Sequence, residues 1–139
     1  MRNLRRATGV VVIALCAAGC TARPVAELQV GQCFDFSGET TEISSVEVVE
    51  CAGPHAAEVY EMFDVDLDAF DATAIAAAAD ERCLAAFEGY VGYPYSAANF
   101  YYRALTPSAE GWTNGARTVR CLVVPHEGTL TGSVKKTDL

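Results

Sequence analysis

One histidine and one carboxylate lie close enough in this sequence to do chemistry together. His55 follows Pro54 in a short segment that breaks an apolar pattern, and Glu58 lies three residues further on. A histidine beside a carboxylate can act as a general base or bind a metal. A turn histidine more often donates to a backbone carbonyl and holds the turn, and no nucleophile motif accompanies His55. We therefore predict a structural role, and the alternative is a small hydrolase or metal-dependent enzyme that uses His55 and Glu58.

Other motifs for known reactions are absent from the sequence or incomplete. It contains no Gly-x-Ser-x-Gly, no His-Glu-x-x-His and no phosphate-binding loop. The alternating aspartates of residues 64–68 resemble the start of a calcium loop. The EF-hand pattern then fails, because Ala69 replaces its glycine and Ile75 its final glutamate. We therefore predict a protein that is not an enzyme and has no metal and no cofactor.

Aromatic residues concentrate between residues 90 and 112. Tyrosine and tryptophan suit binding faces, since they combine a large contact area with a polar tip. A small domain also needs aromatic side chains for its core, which is the alternative interpretation of any single member. The candidate binding face comprises Tyr93, Tyr95, Tyr101 and Trp112.

The first twenty residues have the pattern of an export signal. Three arginines precede the apolar run 7–19, which is too short to cross a bilayer, and small residues lead up to Cys20. The sequence Ala17-Ala18-Gly19-Cys20 resembles the bacterial lipoprotein box, with Ala17 in place of the usual leucine. The resemblance implies that residues 1–19 are a signal peptide and that Cys20 becomes a lipidated first residue with acyl chains such as palmitate. An ordinary secretory signal is the alternative.

The charge of the chain limits its partners. The 139 residues carry a formal net charge of −8, and loss of the three signal arginines leaves −11. A domain this acidic is repelled by nucleic acids and by anionic lipid surfaces. We therefore predict no nucleic-acid partner, and a membrane location, on the extracytoplasmic face, that depends on the lipid anchor.

The apolar pattern predicts one α+β domain, in which a small antiparallel β-sheet is packed by one main α-helix. Residues 20–29 are predicted to be the lipidated cysteine and a tether, residues 30–134 the domain, and residues 135–139 a tail. Inward-facing positions recur every four residues along a helix over 73–89. Valine-rich or aromatic runs predict strands at 30–36, 44–51, 57–65, 100–106 and 118–124.

Four cysteines remain after Cys20, and an even number in a small exported domain predicts a disulfide framework. Their wide spacing, with no Cys-x-x-Cys pair, disfavours a zinc site. Cys83 lies on the inward stripe of the helix, and Cys121 lies among inward-facing valines of the last strand. Cys33 and Cys51 lie on neighbouring strands. Of the three possible connectivities, we predict Cys33–Cys51 and Cys83–Cys121.

These cysteines belong to a longer ordered pattern of short motifs. The motifs are Gly31-Gln-Cys33-Phe34, Cys51-x-x-Pro54-His55-x-x-Glu58-Val59, Cys83 with Phe87 and Tyr90-Val91-Gly92, then Pro107, Trp112, Gly115, Arg120-Cys121 and Leu130-Thr131-Gly132-Ser133. Over residues 29–134 this pattern resembles the septum-formation-related domain of actinobacterial envelope proteins. The resemblance implies an envelope protein linked to cell division. We predict a non-enzymatic module that binds an envelope protein or a cell-wall component. The resemblance supplies no reaction, so Pro54, His55 and Glu58 are carried over as motif residues and not as catalytic ones.

Overall fold

The computed structural model describes residues 22–36 and 43–136. The predicted signal peptide, Cys20 and the last three residues of the predicted tail lie outside them. The strands are β1 (Ala22–Pro24), β2 (Cys33–Phe36), β3 (Ser45–Val49), β4 (Pro54–His55), β5 (Ala57–Asp64), β6 (Phe100–Leu105), β7 (Thr118–Pro125) and β8 (Leu130–Thr131). The helices are α1 (Ala72–Val91) and α2 (Ala109–Thr113), with 3-10 turns at Val25–Glu27 and Tyr95–Ala97.

Six strands form one antiparallel sheet in the order β1-β3-β2-β5-β7-β6, and β4 pairs with β8 in a separate two-stranded ribbon. The main helix packs on one face of the sheet. The predicted α+β class is confirmed, as are a single main helix and two disulfides. Among the described residues, no helix is both long enough and apolar enough to cross a membrane.

Helix α1 begins and ends where its sequence supplies caps. The Asp71 side chain accepts hydrogen bonds from the N–H groups of Thr73 and Ala74, which have no partner within the first turn. Gly92 ends the helix with φ at 92°, a left-handed conformation that glycine adopts without a steric penalty. One stripe of the helix is buried against the sheet: Ile75, Ala79, Cys83, Phe87 and Val91.

Each face of the sheet covers its own core. Side chains alternate along β7, so Val119, Cys121 and Val123 face α1 as predicted. Leu122 and Val124 point the other way and pack with apolar residues of β2, β3 and β5. The sheet is thus buried on both sides at its centre.

The predicted tether is part of the fold over the residues that the structure describes. Strand β1 pairs with β3, and Leu28 is only 1% exposed, packed in the core opposite α1. Arg120 of β7 fixes this crossing, because its Nε donates to the Leu28 carbonyl at 3.1 Å and its Nη2 to that of Ala26 at 2.6 Å. Residues 22–28 are therefore held against the domain, and composition alone gave no sign of a three-residue edge strand.

Candidate functional site

The two disulfides have the predicted connectivity. The Cα atoms of Cys33 and Cys51 are 5.2 Å apart, and those of Cys83 and Cys121 are 5.4 Å apart. The first bond joins β2 to the turn after β3, and the second joins the middle of α1 to β7. The first bond therefore fixes the end of β3 to β2, and the second fixes the helix to β7.

His55 and Glu58 lie beside the first disulfide, inside the domain. The β4–β8 ribbon pairs His55 with Leu130, and the register of β2 against β5 places Cys33 directly opposite Glu58. Both His55 and Glu58 are completely buried, while Pro54 is exposed. The sequence motif thus becomes a buried polar cluster with only its proline at the surface.

Three donors from distant parts of the chain satisfy the Glu58 carboxylate. The hydroxyls of Tyr90 and Ser133 each donate to Oε1 at 2.7 Å, and the Val134 N–H donates to Oε2 at 2.8 Å. A buried carboxylate is tolerated only when such bonds replace its hydration. Glu58 therefore fastens the last turn of α1 and the segment after β8 to the central strand β5.

Tyr90 is held as a donor by its surroundings. Burial first, then the hydrogen bond to Glu58, raises the pKa of the Tyr90 hydroxyl above its usual value. The carbonyl of Tyr90 also accepts a hydrogen bond from the Lys136 N–H at 2.7 Å. The residues after β8 are consequently tied to the end of α1 by both side chain and backbone.

The imidazole of His55 holds its own turn. Its Nδ1 lies 2.9 Å from the carbonyl oxygen of Gly53, and because a carbonyl only accepts, Nδ1 carries the proton. Among the described residues, Nε2 is the one buried side-chain nitrogen or oxygen without a hydrogen-bond partner. A general base needs a lone pair that reaches a substrate, and this one lies on a ring with no solvent exposure.

The donor atoms around His55 do not fit a resident metal ion. Cys33 Sγ, a ring nitrogen of His55 and a carboxylate oxygen of Glu58 all lie within 4.8 Å of one another. The sulfur of Cys33 is bonded to Cys51, however, and a zinc ligand must be a thiolate. The carboxylate oxygens already accept three hydrogen bonds, so this group favours a structural cluster.

The four aromatic residues predicted as a binding face are not brought together. Trp112 is 8% exposed and packs in the core with Val65, while the Arg117 guanidinium lies 3.5 Å from its ring centroid. Tyr95 is half-buried on the side of α1. Tyr101 projects from the opposite face of the sheet.

Only Tyr93 is substantially exposed, at 39%. Three of the four therefore contribute to packing, and the candidate face is not a single surface.

The sequence patterns did not predict that the donors to Glu58 meet at one carboxylate. Tyr90 and Ser133 stand in the ordered motif pattern, but their separation along the chain hides their meeting at one carboxylate. The available signal was Glu58 itself, a lone charge in the apolar run Ala57–Tyr60 that must find donors if that strand is buried.

The fold and site together define a small α+β domain that two disulfides and a buried carboxylate cluster hold in shape. The chain belongs to the septum formation family, whose model matches residues 30–138. The resemblance drawn from the motifs is thereby confirmed.

The chain is also similar to curated mycobacterial proteins. It is 33% identical over 114 residues to the provisionally named lipoprotein LppN of Mycobacterium tuberculosis and to that of Mycobacterium bovis. The alignment covers 78% of this chain and 63% of each relative, so the chain spans less than two thirds of their length. No solved structure matches the chain.

Proposed function

We propose that the protein is a lipid-anchored component of the cell envelope, on the extracytoplasmic face of the membrane. It acts there as a non-enzymatic module that binds an envelope protein or a cell-wall component during septum formation. Membership of the septum formation family and the lipoprotein name of the mycobacterial relatives support this proposal. The basic, apolar and small-residue pattern that ends at Cys20 supports the anchor.

The burial of His55 and Glu58 is the observation that carries the non-enzymatic part. Neither side chain has exposed surface, and the carboxylate accepts three hydrogen bonds from the protein's own donors. A catalytic pair must touch its substrate, and these groups are enclosed by β5, α1 and the segment after β8. The motif therefore serves the fold, and the function lies on the surface that the fold presents.

An anchor at Cys20 would hold this domain close to the bilayer. Strand β1 begins at Ala22, so a single residue separates the proposed lipid site from the sheet. The two residue steps from Cys20 to Ala22 extend at most about 7 Å. The protein would therefore meet its partner next to the membrane, and not at the end of a long tether.

Replacing Cys20 by serine is expected to abolish lipidation, since only a thiol can form the thioether to the diacylglyceryl group. The variant should move to the aqueous phase in detergent partition and lose incorporation of a labelled palmitate analogue. Cys16→Ser is the matched control, because this cysteine lies in the predicted signal peptide and its variant should remain lipidated. A Cys20→Ser protein that keeps the label and stays in the detergent phase would contradict the anchor.

A further inference from the structure

A cleft of about 380 Å³ is lined by neither His55 nor Glu58. One wall comes from the residues just after β1 and just before β3, and the other from the end of β6 and from α2. Because β1 and β6 are opposite edges of the sheet order, the sheet curls to bring these walls together. Its polar lining residues are Ser44, Arg103, Thr106, Ser108, Thr118 and Arg120.

The cleft has an unusual charge for so acidic a chain. Arg103 and Arg120 line the cleft. None of the described lining residues is an aspartate or glutamate, although the chain has 18 acidic residues. Within residues 22–36 and 43–136 the one ion pair joins Arg82 to Glu61. Within those ranges, neither Arg103 nor Arg120 therefore has a carboxylate at ion-pair distance.

Of the two arginines in the cleft, Arg120 is buried and held in place by hydrogen bonds. It is 7% exposed and donates through Nε and Nη2 to two backbone carbonyls, which orient its guanidinium. Burial lowers the pKa of Arg120 from its ordinary value, and the charge of Asp64 opposes that shift. A guanidinium remains protonated at neutral pH even so, which leaves a buried positive charge that pairs with no carboxylate of the described residues.

Arg103 adds an exposed second guanidinium, which lies 5.8 Å from the centroid of the Phe36 ring. Val25, Ile43 and Leu105 add apolar surface to the same cleft. A planar, fork-shaped donor beside an apolar wall matches a carboxylate that carries a small apolar group. The acidity of the domain disfavours phosphate-rich surfaces and polymers.

We propose that this cleft binds a single carboxylate next to a small apolar group, such as the free C-terminus of a peptide. The proposal deepens the binding role given above and rests on it. The carboxylate pairs with Arg103 at the mouth and meets the field of Arg120 inside, while its apolar group contacts the wall. A volume of this size is within the range of small-ligand sites.

The test is calorimetric titration of the purified full protein in detergent with three probes: N-acetyl-alanyl-alanine, its C-terminal amide and glycerol phosphate. The free carboxylate should bind at least about tenfold more tightly than the amide. Arg103→Gln should weaken that binding about five- to tenfold without lowering the melting temperature. Arg82→Gln is the matched control, because this arginine lies outside the cleft, and it should leave the affinity unchanged.

Equal binding of peptide and amide, no binding of either, or an unchanged affinity in Arg103→Gln would overturn the proposal. Tighter binding of glycerol phosphate than of the peptide would overturn the choice of carboxylate. The detergent partition of Cys20→Ser does not involve the cleft. A silent titration with intact anchoring would therefore refute the cleft and leave the envelope location standing.

Discussion

Replacing Glu58 by alanine is expected to lower the free energy of unfolding by about 3–5 kcal/mol. The variant leaves the Tyr90 hydroxyl, the Ser133 hydroxyl and the Val134 N–H without their acceptor, and it opens a cavity in a fully buried position. Each unsatisfied buried donor costs roughly 1–3 kcal/mol, reduced where water can reach it. Against a total stability of about 5–15 kcal/mol, this loss is a large fraction of the free energy that keeps the domain folded. Urea unfolding measures it.

Two further variants separate this effect from a general loss of a glutamate. Glu88→Ala removes an exposed glutamate of α1 and should change stability by less than about 0.5 kcal/mol. Glu58→Gln preserves the side-chain volume but turns one acceptor into a donor. Its loss of unfolding free energy should therefore lie between those of Glu88→Ala and Glu58→Ala. A Glu58→Ala protein as stable as Glu88→Ala would show that the carboxylate does not hold the fold.

Removing the Cys83–Cys121 bond, with both cysteines replaced by alanine, is expected to cost about 4 kcal/mol. The bond closes a loop of 38 residues, and in the chain-entropy model such a loop restricts the unfolded chain by that amount. Both cysteines are completely buried, so the lost sulfurs also leave a small cavity between α1 and β7.

The Cys33–Cys51 bond provides the comparison. It closes a loop of 18 residues, for which the same model gives about 3 kcal/mol. Both double-alanine variants are unfolded in urea without reductant. The variant that lacks the Cys83–Cys121 bond should have the lower free energy of unfolding. A loss below about 1 kcal/mol for that variant would show that packing alone holds α1 on the sheet.

The helix and its disulfide were predictable because their signals are local and periodic. Cys83 occupies the four-residue stripe of α1, and Cys121 alternates with inward-facing valines of β7, so the two point at one core from independent patterns. Strand β1 has no comparable signal. It is three residues long, and it exists because the edge of β3 offers backbone partners.

The cluster around Glu58 was only half predictable. The motif places His55 and Glu58 near each other, but Tyr90 and Ser133 are 32 and 75 residues from Glu58 along the chain. Their meeting depends on where α1 ends and where the chain returns after β8. These are tertiary features that no local spacing encodes.

The aromatic residues predicted as one binding face are dispersed, because strand register and helix α2 decide where each side chain lies. Alternation along β6 sends Tyr101 and Tyr102 to opposite faces of the sheet, which a strand prediction already implies. The burial of Trp112 depends on α2, a five-residue helix capped by Ser108 that composition alone marks as a loop. An aromatic-rich segment is therefore weak evidence for a binding face until its strand register is known.

Two substitutions of His55 test most directly whether the His55–Glu58 cluster supports the fold and does no chemistry. His55→Ala loses the bond to Gly53 and should be less stable by at least about 0.5–1.5 kcal/mol. His55→Asn retains an N–H that can donate to the same carbonyl but has no imidazole base. Melting temperature and rescue of a strain lacking its own copy are measured for both.

We expect His55→Asn to be the more stable of the two and to restore function, and we expect any defect of His55→Ala to follow its lost stability. A His55→Asn protein that melts like the wild type but fails completely in the cell would contradict this expectation, because the imidazole would then be required for chemistry.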